Sequence, residues 1–213
     1  MATSIDDSDY FNGEAWLALA VYADIHRDDQ RVRDALMDLD RVLMRRYADH
    51  PSNEFYLWGA MAAAQRWRTT ADPRFVAFLK QQAAVFTDRF ERQLDPDGNH
   101  CGPMEGLAAA QGVFIQSGEG RSELARRVQS QLSRLAGELP RLQVQPGQTR
   151  MALGGDAYLA APRLARFGGA FLFGRFRPET RVDGGQHCLS ALLMIDENER
   201  LDRDRAPSPV PRQ

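Results

Sequence analysis

Apolar and polar positions along the chain define two alternating kinds of helical segment. Four segments are apolar almost all round, which is typical of helices buried on every side. These segments are 13–25, 54–67, 104–115 and 186–195. The segments between them carry apolar side chains on one helical face and charged side chains on the other, which predicts surface helices. These are 31–47, 73–92 and 121–142. The alternation predicts an all-α protein built of helical hairpins.

The spacing of the buried segments suggests how the hairpins are arranged. The first three begin at intervals of roughly 40–50 residues, a period typical of helical-hairpin repeats. Two architectures fit: an α/α toroid, with inner helices ringed by outer ones, and an open α-solenoid. A solenoid usually repeats a residue signature as well as a pattern, and this sequence shows none. We therefore prefer a toroid-like array of about three and a half hairpins, a partial barrel.

The same pattern sets the expected domain limits. Residues 1–11 are a polar N-terminal lead, and the helical domain spans 12–196. Inside it, residues 143–182 are rich in Gly, Ala, Pro and Arg and break the helical rhythm, so we expect an irregular insertion or a lid. Residues 197–213 are charged and rich in proline, which predicts a disordered tail.

Charge and composition exclude some classes of function. The formal net charge of -2 argues against a general nucleic-acid binder, which usually carries a basic excess. No apolar run reaches the roughly 18–20 residues of a membrane span. The N-terminus is acidic and polar, unlike the basic and then apolar start of a signal peptide. The predicted location is therefore cytoplasmic.

Three segments carry a resemblance to a known superfamily. They are YFNGEAWLALAVYADIH (10–26), MEGLAAAQGVF (104–114) and RVDGGQHCLSALLMI (181–195), the last containing the distinctive R-V-D-x-x-Q-H-x-L-S-A-L. They resemble hairpin openings in the α/α-toroid superfamily, the six-hairpin glycosidase-like proteins. The resemblance covers most of residues 10–196 as a pattern, without a catalytic signature. The chain has fewer hairpins than a complete ring, as do the uronyl C5-epimerases. The resemblance implies a carbohydrate-active enzyme.

A toroid would gather polar residues from distant parts of the sequence. Its inner helices run parallel, so their N-termini open at one end, where partial positive charge favours carboxylates and anionic ligands. The catalytic candidates at these starts are His100, Glu105, Asp183 and His187. The candidates for binding substrate are Glu14, Glu54, Tyr56, Trp58, Arg181 and Gln186.

These residue types suit two kinds of carbohydrate chemistry. Glycoside hydrolysis needs two carboxylates, one acting as acid and the other as base or nucleophile. Epimerisation or elimination needs a base and an acid beside an acidic carbon, with a cation such as Arg181 to hold the substrate carboxylate. Aromatic side chains such as Tyr56 and Trp58 would pack against the apolar faces of sugar rings.

Each candidate also has a structural interpretation. Acidic residues in a first helical turn, such as Glu14 and Glu54, often serve only as caps or dipole partners. Asp183 has the alternative of capping the last helix or pairing with Arg181. His187 has the alternative of a hydrogen-bonded core histidine, and the aromatic residues have that of ordinary core.

The two cysteines, Cys101 and Cys188, leave three possibilities open. The commonest state of such a pair is two reduced core residues. With the neighbouring histidines they are also zinc-compatible ligand types. His100-Cys101-Gly102 resembles the Cys and His ligands at the inner-helix ends of toroidal lanthionine cyclases, although the order of residues differs and the sequence has no third cysteine. An oxidising compartment would allow a disulfide instead. We predict no cofactor, with zinc as the alternative.

A non-catalytic role is the other class of function. An unfinished ring leaves apolar helix faces that something must cover. A homodimer or a missing partner domain would cover them, and the mouth of the inner helices would then bind a glycan, a peptide or another small ligand. The sequence therefore predicts a carbohydrate-active enzyme, with a helical interaction domain and a zinc-dependent enzyme as alternatives.

Overall fold

A computed structural model describes residues 9–93, 98–154, 157–174 and 177–205, which are predominantly helical. The helices are α1 (Asp9–Ile25), α2 (Gln30–Asp49), α3 (Asn53–Thr70), α4 (Pro73–Gln93), α5 (Cys101–Ser117), α6 (Glu123–Glu138) and α7 (Val182–Arg205). Each predicted helical segment therefore corresponds to an observed helix, and the all-α class is confirmed. None of the helices in the described ranges is long and apolar enough to cross a bilayer.

Side chains just before several helices fix where they begin. Ser52 precedes α3 and accepts a hydrogen bond from the Phe55 N–H, and Ser122 does the same for Ala125 in α6. Asp72 accepts from the Arg74 N–H directly before Pro73, the first residue of α4. Such caps satisfy N–H groups that lack a partner within the helix.

The helices pack in two rows. The inner row has the order α1, α3, α5, α7, in which each helix packs against the next. The outer row has the order α2, α4, α6. Consecutive helices α1 and α2, α3 and α4, and α5 and α6 also pack together, so the chain forms three hairpins followed by the single helix α7.

Close contacts show that the inner helices run in the same direction. A Cβ on Gly13, near the start of α1, would lie 2.7 Å from Trp58 Cβ, near the start of α3. A Cβ on Gly106 of α5 would likewise lie 3.0 Å from the Tyr56 ring. Helix α7 runs alongside α5 in the same direction, because His187 near its start contacts Glu105 and Arg205 at its end donates to the Ile115 carbonyl. The four inner helices therefore begin at one end of the molecule, which we call the N-terminal face.

Helices at the centre of the inner row are more deeply buried than those at its ends. In α5, every residue from Met104 to Ile115 is buried. In α1 and α7 only one face is buried, and large apolar side chains such as Ile25 and Leu193 are 70% and 60% exposed. The expectation that 13–25 and 186–195 are buried on every side is wrong, because a helix at the end of the row has one neighbour fewer.

The insertion between α6 and α7 contains two antiparallel β-hairpins. Strand β1 (Arg150–Gly154) pairs with β2 (Ala157–Ala160), and β3 (Leu172–Gly174) pairs with β4 (Arg177–Thr180). The insertion also has a small apolar core of its own, formed by Val144, Met151, Leu164 and Leu172. The prediction of an irregular segment is therefore corrected for the described part of 143–182.

The predicted chain ends also need correction. Helix α1 begins at Asp9, so only residues 1–8 of the proposed lead lie outside the described residues. Helix α7 continues to Arg205, so the prediction of disorder is wrong for residues 197–205. Its buried Asn198 explains why the polar segment stays helical, since the side-chain amide donates to the Ala108 carbonyl at 2.8 Å. Residues 206–213 lie outside the described part.

Candidate functional site

A carboxylate and an imidazole meet at the N-terminal face. Nδ1 of His187 in α7 lies 2.7 Å from Oε2 of Glu105 in α5. Glu105 is 3% exposed, whereas the His187 side chain is 14% exposed. Two of the four predicted catalytic residues, 82 positions apart in sequence, are therefore brought into direct contact.

A disulfide joins the same two helices beside this pair. Cys101 and Cys188 have their Cα atoms 4.6 Å apart, and both residues are fully buried. Cys188 directly follows His187, and Cys101 lies one helical turn before Glu105. The bond therefore fixes α5 and α7 at the level of the carboxylate–imidazole contact.

The disulfide corrects the expectation for the cysteines. Reduced core residues were the expected state, and the structure instead shows the disulfide alternative. Metal ligation by cysteine requires a thiolate, and neither Cys101 nor Cys188 carries one when bonded to the other. Within the described ranges, no group of three or more His, Cys, Asp or Glu residues is placed to hold a metal ion.

Asn99 connects the disulfide region to the inserted hairpins. Its Oδ1 accepts from the Cys101 N–H at 2.9 Å, and its Nδ2 donates to the Leu172 carbonyl at 3.0 Å. Its own N–H donates to the Phe173 carbonyl. Strand β3 is thereby anchored at the start of α5. Sequence reasoning missed this residue, although an Asn just before a helix is a recognised start signal.

Trp58 of α3 forms one wall of the site. Its ring centroid lies 5.5 Å from that of His187, with an interplanar angle of 66°. Its indole N–H is buried and has no hydrogen-bond partner among the described residues. Trp58 also borders a largely apolar groove of about 580 Å³ along α1, which we call the α1 groove. That groove is lined by Phe11, Glu14, Ala15, Leu17, Ala18 and Trp58.

Asp183 and Arg181 pair with each other at the start of α7. Arg181 donates two hydrogen bonds to the Asp183 carboxylate, at 3.1 and 2.6 Å, and the Gly184 N–H donates a third. Desolvation acts to raise the pKa of the Asp183 carboxyl, but these hydrogen bonds outweigh it and hold the pKa below its usual value. An exposed, ionised carboxylate is a poor general acid, so the structure favours the pairing interpretation of Asp183.

The other predicted residues occupy varied positions. Tyr56 lies in the core rather than at the surface, stacked on Phe86 with ring centroids 3.7 Å apart, which corrects its assignment as a sugar platform. Burial raises the pKa of its hydroxyl. Glu54 is exposed in the first turn of α3, and Gln186 is exposed at the beginning of the second turn of α7. His100 directly precedes α5 and is partly buried.

The paired side chains of Glu105 and His187 are arranged so that His187 can exchange a proton with a ligand. An ionised carboxylate only accepts hydrogen bonds, so the ring proton facing it belongs on Nδ1. When the ring is neutral, Nε2 then carries the lone pair and can take a proton from a ligand. The buried Glu105 carboxylate in turn stabilises the imidazolium that forms, and the imidazolium compensates a charge that is costly to bury alone.

Comparison with protein-family models, curated proteins and solved structures gives no significant match for this chain. The resemblance to the α/α-toroid superfamily therefore stays a prediction.

Proposed function

We propose that this protein is a carbohydrate-active enzyme in which His187 transfers a proton at the N-terminal face. The observation that carries the proposal is the 2.7 Å contact between His187 Nδ1 and the buried Glu105 carboxylate. Such an arrangement fixes the orientation and the tautomer of a histidine that acts in general acid–base catalysis. Glu105 acts as a positioning residue for His187.

The surroundings favour proton transfer over glycoside hydrolysis. Hydrolysis uses two carboxylates that both face the scissile bond. Here Glu105 is buried against His187, and Asp183 is engaged by Arg181. A histidine base is instead suited to removing a proton from carbon beside a carboxylate, which is the first step of uronate epimerisation or elimination.

A sugar acid is the class of substrate that fits the neighbouring groups. Trp58 offers an aromatic face next to His187. Arg181 directly precedes α7, six residues before His187, and uses Nε and Nη2 for Asp183, which leaves Nη1 to bind a substrate carboxylate. The charge-assisted hydrogen bonds of a guanidinium suit that role.

The proposal includes a toroid-like arrangement and an oxidising compartment. An inner row of parallel helices backed by an outer row is compatible with a partial toroid. We propose an oxidising compartment instead of the predicted cytoplasm, because disulfides persist mainly in oxidising compartments. The bond between Cys101 and Cys188 therefore supports such a compartment.

Solvent-deuterium exchange tests the enzymatic proposal. Alginate and pectate would be incubated with the protein in D2O, and deuterium at C5 and unsaturated uronate products would be measured by NMR and mass spectrometry. We expect activity on a polyuronate, and His187→Asn should lower it about 10²–10⁴-fold. The matched control is His50→Asn, which replaces an exposed histidine after α2. Activity that is equal in both variants would overturn the role of His187, and no exchange on either polymer would overturn the polyuronate assignment.

A second candidate function is a helical interaction domain. The observation that favours it is the exposed apolar surface at both ends of the inner row. In α1 this surface includes Phe11, Tyr22 and Ile25, and in α7 it includes Leu189 and Leu193. Light scattering on the purified chain tests this candidate: a stable dimer that Leu193→Glu dissociates would favour it, whereas a monomer at micromolar concentration would oppose dimerisation.

A further inference from the structure

A second cleft lies at the opposite end of the molecule from the N-terminal face. It opens where α1 and α3 end, has a volume of about 600 Å³ and is rich in arginine. Its polar lining consists of Asp24, Arg27, Arg33, Gln65, Arg66, Arg68, Thr69 and Thr70. The acid–base pair lies near the starts of α5 and α7, so this cleft is independent of the proposed catalytic site.

Arg66 is held rigidly at this cleft. Its Nε and Nη2 donate to Asp40 Oδ2 at 2.9 and 2.7 Å, and its side chain is only 13% exposed. Asp40 is itself buried and also accepts from the Trp16 indole N–H at 2.7 Å. The Arg66 guanidinium additionally lies 5.4 Å from the centre of the Phe75 ring. A guanidinium fixed in this way loses little further entropy when a ligand binds.

The cleft carries more positive charge than its own partners neutralise. Asp24 pairs with Arg27 and Asp40 pairs with Arg66, whereas the salt bridges of the described residues assign no carboxylate to Arg33 or Arg68. Part of that excess is offset by the carbonyl ends of α1 and α3, each of which carries about half a negative charge.

The threonine hydroxyl groups of the cleft are not available as donors to an anion, so the guanidinium groups would bind it. Thr69 and Thr70 donate their hydroxyl protons to carbonyl groups within α3, so these protons are already used. Arg33 is half-buried and Arg68 is exposed, and both line the cleft. Arg33 donates through Nη2 to the Gln30 side-chain oxygen, so its other N–H groups would contact the anion. Guanidinium groups bind phosphate oxygens through parallel charge-assisted hydrogen bonds.

We propose that this cleft binds the phosphate group of a small soluble molecule, with Arg33 and Arg68 as the main contacts and Arg66 as a fixed positive charge behind them. The inference goes beyond the proposed function, because it assigns a separate ligand to a separate site. The volume of the cleft suits a molecule with one or two phosphate groups rather than a polymer.

Titration calorimetry with pyrophosphate and with inorganic phosphate tests the proposal on the full chain. We expect saturable binding of pyrophosphate with a Kd of about 1 mM or tighter. The double variant Arg33→Gln/Arg68→Gln should weaken it about tenfold or more, because a charged hydrogen-bond partner is lost at each position. Both residues lie outside the core, so the fold should persist, which circular dichroism would verify.

The matched control is Arg45→Gln, an exposed arginine on α2 that is not part of the cleft lining. It should leave the affinity unchanged. The proposal is overturned by the absence of saturable binding to the wild-type chain. It is also overturned if the double variant and Arg45→Gln bind pyrophosphate equally well. The polyuronate exchange assay is independent of these outcomes, so the two sites can fail separately.

Discussion

Helices α5 and α7 look alike in sequence at their starts but differ in the structure. Both have a cysteine and a histidine in or just before the first two turns, and both continue with apolar residues. Helix α5 is buried on all sides from Met104 to Ile115, whereas α7 buries little more than the face with Cys188 and Ala191. Position in the inner row, rather than apolarity alone, determines how much of each helix is buried.

The difference suits the chemistry of the candidate site. The buried helix supplies Glu105, whose carboxylate is shielded from water, and the end helix supplies His187, which keeps some exposure. A shielded carboxylate acts strongly on its partner because the local dielectric is low. A histidine on the outer helix can still meet a ligand. The site therefore combines one rigid member with one accessible member.

The disulfide is the strongest single link between these two helices. It connects positions 87 residues apart, so replacing Cys101 and Cys188 by Ser should lower the free energy of unfolding by roughly 4 kcal/mol, mainly by freeing the unfolded chain. Urea unfolding of the oxidised protein, the reduced protein and the double variant would measure this. Equal stability with and without reductant would contradict the account. The double variant should not respond to reductant.

A pair of leucine substitutions tests the burial contrast itself. Leu107→Ala in α5 removes a fully buried side chain and should cost about 3 kcal/mol. Leu193→Ala in α7 removes one that is 60% exposed and should change stability by no more than about 0.5 kcal/mol. Denaturant unfolding of both variants provides the comparison. Similar losses would mean that something covers the outer face of α7 in solution.

Asn99 links α5 to the inserted hairpins. Its replacement should lower the free energy of unfolding by less than loss of the disulfide or of the Leu107 side chain. Asn99→Ala removes the acceptor for the Cys101 N–H and the donor to the Leu172 carbonyl, and we expect a loss of about 1–2 kcal/mol. Asn99→Ser is the matched variant, because it keeps a helix-capping acceptor and should recover part of the loss. Faster amide exchange at Leu172 in the Ala variant would locate the effect. Unchanged exchange there would contradict the proposed anchoring.

The exposed pair of Asp183 and Arg181 should give the smallest effect. The pKa of Asp183 is lowered in the folded protein, so its contribution is present above the pKa of the unfolded chain. That contribution is lost as the pH falls through the lower folded-state pKa. Because both side chains are about half exposed, Asp183→Asn should cost at most about 0.5 kcal/mol near neutral pH. Thermal unfolding at neutral and strongly acidic pH would check this, and a difference that persists in acid would oppose the assignment.

Helix positions were predictable from sequence because apolar spacing and capping residues act locally. The prediction that Glu105 and His187 lie at the same end of the molecule needed one further assumption, namely that the inner helices run parallel. The burial of α1 and α7 was overestimated because sequence apolarity does not reveal which helix lies at the end of the row. Exposed apolar residues such as Leu189 follow the same helical spacing of apolar positions as the buried residues do.

Features that depend on distant contacts were harder to predict. The disulfide requires Cys101 and Cys188 to be adjacent in space and an oxidising environment, and neither condition is visible in local sequence. The hairpin strands have only three to five residues each, too few for an alternating pattern to emerge. Tyr56 was a candidate for binding substrate, with ordinary core as the alternative, because its place near a helix start does not reveal that Phe86 covers its ring.

The tautomer of His187 tests the central claim most directly. Long-range proton–nitrogen NMR on a chain with 15N-labelled histidine would locate the ring proton, at a pH where the ring is neutral. With Glu105 ionised and accepting from Nδ1, the account predicts a protonated Nδ1 and an unprotonated Nε2 in the wild-type protein. A neutral ring protonated only at Nε2 would contradict the account, because Nε2 would then have no lone pair with which to accept a proton from substrate.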